Sequence, residues 1–197
     1  MTAEDMGKLS ITSIGSLCLK PNLEERLAAT TDLGRNDLWS STDLYRQLSF
    51  LESHVRQAGK ASGRAWIEAF LFRAPTMLSP EKFSPILREC DELHTFQMYN
   101  PSAFVVIQSR ADNPSDDIPQ AVRRMHECGK LLLKKVVRGA LTNGRDWFFL
   151  LVKLNDDYDG ATYKQSDVIQ LQTTRSPDGQ PQIHEPWPDL IADSRGC

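Results

Sequence analysis

The sequence predicts an α/β domain built on a central mixed β-sheet flanked by helices, and three observations lead there. Two apolar runs, Phe104-Val105-Val106-Ile107 and Val136-Val137-Arg138-Gly139-Ala140-Leu141, are short, rich in Val, Ile and Phe, and nearly continuous, as strands covered on both faces are. The stretch between them, about 118–134, reads as a helix, so strand, helix and strand form a crossover unit. Asn143-Gly144 then separates the second run from Trp147-Phe148-Phe149-Leu150-Leu151-Val152, and Asn-Gly between apolar runs is a strong hairpin signal.

In chain order, residues 1 to about 20 are small and polar, with Gly7 and Gly15, and read as a loose or strand-like lead-in. Asn22 with Glu25 three residues on has the form of a capping box, and Gly34 would stop the helix it opens. A second helix is expected from Ser41 or Thr42 to near Gly59, because Leu44, Leu48, Leu51 and Val55 recur along one face. A third, about 63–74, carries Ala65, Trp66, Ile67, Ala69, Phe70, Leu71 and Phe72, so apolar a sequence that burial all round is expected. Pro75 is expected to end it, and Ser79-Pro80 has the form of a short helix start. Asn100-Pro101-Ser102 is a turn signal, so 93–98 is a candidate strand paired with 103–109. Asp112–Asp117 reads as a polar loop, Asn155–Gly160 as an acidic turn and Ser166–Leu171 as a last strand. From Thr174 the Pro-rich chain is expected to be an extended strap or a mobile tail.

A chain of 197 residues is most simply one domain with a real core. Its expected parts are an N-terminal helical decoration (1–59), an α/β core (60–173) and the tail (174–197). Net charge is −3, which excludes a histone-like basic binder. Between Arg110 and Lys153, however, nine Lys/Arg face five acids. Such a segment permits a phosphate-binding face, with Lys134, Lys135 and Arg138 as candidates; a solvated helix and sheet edge is the plain alternative. Cys18, Cys90, Cys128 and Cys197 show no zinc spacing. No secretory leader is apparent and no apolar run is long enough to span a bilayer. Reduced thiols, an intracellular location (cytoplasmic or nuclear) and no membrane partner are expected; oligomeric state is left open.

Several residues invite chemistry. Glu68 sits in the most apolar helix, where a carboxylate needs a partner or a cleft; an ion pair with Arg64 or Arg73 is the ordinary solution. Gln108 and Arg110 leave the end of the first core strand together. Asp91 lies seventeen residues before Gln108, beside Glu89 and Glu92, and a surface acid is its plain reading. Asp112, Asp116 and Asp117 follow the strand, where acids usually solvate a turn or cap the next helix. His54, His94, His126 and His184 show no metal spacing, although His126 follows Gln120 by six residues on the central helix. Ser109 has no neighbouring base in sequence.

The wording of Phe104–Arg110, Ile118-Pro119-Gln120-Ala121-Val122, Lys135–Gly144 and Leu154-Asn155-Asp156, with Ser62-Gly63-Arg64-Ala65-Trp66-Ile67-Glu68-Ala69 upstream, resembles a fungal group of the PD-(D/E)XK nuclease superfamily over residues about 60–172. The resemblance implies a restriction-endonuclease-like core with added N-terminal helices, and hydrolysis of DNA or RNA phosphodiesters by carboxylate-bound Mg²⁺. Hard oxygen ligands suit that ion, which would activate water and stabilise transition-state charge. By the same resemblance Glu68 matches the helix glutamate, Asp91 is the candidate strand acid, Gln108 stands at the second carboxylate and Arg110 at the lysine. Gln120 matches a glutamine opening the following helix. The two central positions depart from the pattern. Gln108 offers a carbonyl oxygen without charge, and the Arg110 fork favours clamping phosphate over activating a nucleophile. Two functions follow: a magnesium-dependent nuclease, or a nuclease fold that has lost catalysis and binds nucleic acid or protein.

Overall fold

The computed structural model describes residues 3–18, 25, 28, 40–55, 60–76, 88–90, 93–96, 103–109, 113–178 and 181–183. The expected helices from Asn22 and Ser79, and the chain beyond 183, lie largely or wholly outside them. In order, the elements are α1 (Ala3–Lys8), β1 (Ile11–Leu17), α2 (Ser41–His54), α3 (Lys60–Thr76), β2 (Arg88–Cys90), β3 (Leu93–Phe96), β4 (Ala103–Gln108), a short 3₁₀ turn (Pro114–Asp117), α4 (Ile118–Leu132), β5 (Val136–Thr142), β6 (Asp146–Leu154), β7 (Ala161–Ser166), β8 (Ile169–Gln170), β9 (Thr173–Arg175) and β10 (Pro181–Ile183).

The protein is α/β with a mixed central sheet. Its described strands run in the order β1-β7-β6-β5-β4-β3-β2, with β8 also on β6. β2, β3 and β4 form an antiparallel meander. α4 then carries the chain back so that β5 lies parallel to β4, with Gln108 opposite Thr142, which is the expected crossover. β6 and β7 return antiparallel. β1 adds to the edge parallel to β7, so residues 11–17 enter the central sheet.

Alternation along the strands explains the continuous apolar runs. Val105, Ile107, Val137, Leu141, Phe148, Leu150, Val152 and Leu154 face α4. Val106, Ala140, Trp147 and Phe149 face α2 and α3, where Phe70 meets Trp147 edge-on with ring centroids 4.9 Å apart. With helices on both sides, both strand faces are dry. Gly139 shows how close α4 comes: a Cβ there would lie 2.6 Å from the Val105 carbonyl oxygen and 3.0 Å from Met125 Cε.

The helices follow their sequence signals, with shifted ends. Ser40 accepts the Asp43 backbone N–H and donates its hydroxyl to the Asp43 carboxylate, fixing the start of α2. α2 buries Leu44, Leu48 and Leu51 but stops at His54, short of Gly59. α3 runs one residue past Pro75. α4 ends at Leu132 because Leu133 turns into the left-handed region (φ 54°, ψ 40°), and Lys134 N–H bonds back to the Gly129 carbonyl. The strand expected at 166–171 is the two-residue β8, and β7, polar and half-buried, precedes it and ends at Ser166. Tail residues 173–183 include an antiparallel pair, β9 with β10, that buries Ile183 in the α2–α3 core. No described helix is long and apolar enough to cross a membrane.

Candidate functional site

The parallel pair β4–β5 ends where α3 begins and α4 is about to start. Carboxyl ends of parallel strands are the usual place for a ligand crevice in open α/β sheets. The pairing continues one step beyond β4, with Ser109 N–H donating to the Thr142 carbonyl at 2.7 Å. Gln108 shares a sheet face with Val106, and therefore points toward α3; it is 6 % exposed. Its amide reaches the first turn of that helix. A Cβ on Gly63 would sit 3.2 Å from Gln108 Nε2 and 2.7 Å from the Asn143 carbonyl oxygen. Only a glycine lets the helix approach so closely.

The β5–β6 connection locks the same corner. Asn-Gly predicts a two-residue hairpin with both central residues at positive φ, but only Gly144 (φ 99°) adopts it. The loop is longer, and Asn143 folds it through its side chain, Oδ1 accepting from Arg145 N–H and Asp146 N–H at 2.9 Å each. Thr142 Oγ1 accepts the Gly144 N–H at 2.8 Å. Arg145 then lies over the Trp66 ring, 4.8 Å from its centroid, and pairs with Glu52 of α2. Burial lowers the Arg145 pKa from its ordinary value, opposed by the nearby Asp146 charge.

Ser109 makes a contact that sequence reading missed. Its hydroxyl donates to Asp117 Oδ2 at 2.7 Å. Asp117 occupies the cap position of α4 but caps nothing with its side chain; it turns back to the strand end instead. The pair is eight residues apart across a loop, so neither periodicity nor motif spacing could reveal it.

The other candidates spread out. Glu68 takes the ordinary solution, pairing with Arg64 Nε at 2.8 Å, both side chains well exposed. α3 is not buried all round: Arg64, Glu68 and Phe72 share an outward arc. At 100° per residue Glu68 lies about 140° around the helix from Gly63, which touches Gln108. Gln120 is exposed on the first turn of α4, whereas His126, two turns on, is buried against the sheet side. Lys134 and Lys135 precede β5, at the end opposite Thr142 and so about 23 Å from the Gln108 corner by strand rise. Lys135 pairs with Asp156, which raises the lysine pKa and lowers the carboxylate's from their ordinary values. Arg138 is half-buried mid-strand opposite Phe104. Asp91 and Arg110 lie outside the described residues.

The described donors do not compose a magnesium shell. Among them no group of three His, Cys, Asp or Glu side chains is arranged to hold a metal ion. Among the described residues the corner brings together a neutral amide, Gln108, and the Asp117 carboxylate, engaged by a hydroxyl. No family model matches the chain, and no curated protein matches it.

Proposed function

We propose that the chain is a nuclease-like α/β protein that binds a nucleic-acid backbone and lacks an efficient metal centre for cutting it. The class comes from the resemblance over residues 60–172. It is supported by the order of elements: helix α3, the β2-β3-β4 meander, helix α4, then β5 parallel to β4. The choice of binding over cleavage rests on one observation. Gln108, at the position of the metal carboxylate, is a neutral amide packed against Gly63. A carboxylate beside a divalent ion is worth several kcal/mol even at an effective dielectric near ~20, so its loss should weaken metal binding by orders of magnitude. Phosphate contacts would come from Arg110, two residues after Gln108 in the sequence, and from Lys134, Lys135 and Arg138 as a second, separate patch. The competing reading, a Mg²⁺-dependent nuclease, is favoured by the same element order and requires Glu68 and Asp91 to join Gln108.

The test incubates purified protein with plasmid and with RNA, with Mg²⁺ or EDTA, beside an Arg110→Ala/Gln108→Ala variant. The expected result is salt-dependent binding without Mg²⁺-dependent cleavage, with a Lys134→Ala/Lys135→Ala variant reducing the salt slope by about one per lysine. Cleavage that needs Mg²⁺ and is lost in the double variant would establish the nuclease reading. Absence of binding to either polymer would overturn both.

A further inference from the structure

Among the described residues, α2 and α3 cover one end of the sheet face they pack on. Val106, Ala140, Trp147 and Phe149 are buried beneath them. At the other end of the same face Val136, Arg138, Leu151, Thr162 and Lys164 are half-buried, and Lys153 is exposed. Alternation and register put all six on that side. Arg138 lies opposite Leu151, Leu151 opposite Lys164, and Lys153 opposite both Val136 and Thr162. The three cations therefore surround Leu151. Arg138 and Lys164 each stand diagonal to Lys153, about 7–8 Å from it along the backbone, and about 10 Å from each other across β6.

Their charge is not balanced locally. β5, β6 and β7 hold four charged residues, Arg138, Asp146, Lys153 and Lys164. Asp146 opens β6, five residues and so about 17 Å from Leu151. In the turn after β6, Asp156 is held by Lys135 and Asp157 by the Asp159 N–H. Among the described residues none of the three cations enters an ion pair or a hydrogen bond. Nor are they the lysines that guard a sheet edge. β5, β6 and β7 are interior strands, whereas the edge strand β1, Ile11-Thr12-Ser13-Ile14-Gly15-Ser16-Leu17, carries no charge. Like charges so placed repel one another, so their clustering opposes folding rather than aiding it.

We propose, building on the reading of the chain as a nucleic-acid binder, that this open half-face, with Arg138, Lys153 and Lys164 around Leu151, is the surface along which the phosphate backbone lies. Three uncompensated cations spread over about 10 Å suit successive phosphates of a polymer better than one small anion. Leu151 and Val136 between them give sugars and bases an apolar floor. The cations act through counterion release and carry no sequence information, so binding is salt-dependent and sequence-tolerant. Lys153 and Lys164 thus join Arg138 as phosphate contacts, while the charge of Lys135 is already met by Asp156.

Fluorescence anisotropy on the full chain tests the face, with a labelled single-stranded oligonucleotide and a labelled duplex over about 50–200 mM salt. In Lys153→Gln/Lys164→Gln the Kd should rise about tenfold at the low-salt end, and the salt slope should fall by about one per lysine. Lys8→Gln/Lys130→Gln removes the same charge from exposed positions on α1 and α4, across the sheet, and should leave both values near wild type. Wild-type binding that the first pair leaves unchanged, or that both pairs weaken equally, would overturn this face and leave the nucleic-acid reading standing. No wild-type binding to either polymer would overturn both. If Lys153→Gln/Lys164→Gln does not fold, amine acylation of the wild type decides. The oligonucleotide should shield Lys153 and Lys164 but not Lys130, and equal labelling with and without it would refute the face.

Discussion

Gly63 sets two residue-scale effects against each other. Replacing a helical glycine by alanine ordinarily gains up to about 1 kcal/mol. Here the added Cβ would stand 2.7 Å from a backbone oxygen that the Asn143 turn holds fixed, and overpacking of that kind costs about 1–3 kcal/mol. The clash should win, so Gly63→Ala should lower the urea midpoint with an unchanged m-value. Leu133 runs the other way. It is a left-handed leucine, 74 % exposed, at a position glycine ordinarily fills. Leu133→Gly removes a conformational cost of about 1 kcal/mol and little burial, so a higher midpoint is expected from the same measurement. Neither strain was legible in the sequence. Gly63 looks like a helix-weakening residue until its neighbours Gln108 and Asn143, 45 and 80 residues away in the chain, are seen across from it.

The elements were more legible than the contacts between them. β4, α4, β5 and β6 announce themselves because their apolar periodicity is long and matches how deeply they are buried. β7 did not, since Ala161-Thr162-Tyr163-Lys164-Gln165-Ser166 is buried only at its two ends and carries no apolar run. α3 misled for the opposite reason: its sequence is almost wholly apolar, yet Arg64 and Glu68 pair on an outward arc. The Ser109–Asp117 contact was hidden because it depends on how a loop folds back. Arg145 likewise gave no signal, although it ties two helices and the chain after β8 together through Trp66, Glu52 and the Leu171 N–H that its carbonyl accepts. Arg145→Ala should remove the ring contact and leave the largely buried Glu52 carboxylate short of a cation, costing about 2–4 kcal/mol. Thermal unfolding should show it, and a loss smaller than an ordinary surface substitution would mean that the clamp contributes nothing.

For the whole molecule, acid is the informative variable. Burial holds the pKa of His126 below the ordinary 6.5, and a histidine whose folded pKa lies below its unfolded one binds its proton first in the unfolded chain. Its contribution to stability is therefore complete above about pH 6.5 and declines as pH falls through that value. The Lys135–Asp156 pair has the usual carboxylate sign, favouring the fold above the ordinary aspartate pKa of 3.8, and both partners are exposed, so the effect is small. Chemical denaturation between about pH 7.5 and about pH 5 should accordingly show stability falling in the wild type and nearly flat in His126→Gln. A wild-type profile as flat as the variant's would mean that the ring is solvated.

The edge strand near the N-terminus also bears on biosynthesis. Ile11 pairs with Ala161, some 150 residues later. A growing polypeptide exposes β1 long before its partner has been translated, and closing so long a loop comes late. Nascent chains halted before Ala161 should therefore leave residues 11–17 open to protease, and those extended past Ser166 should protect them.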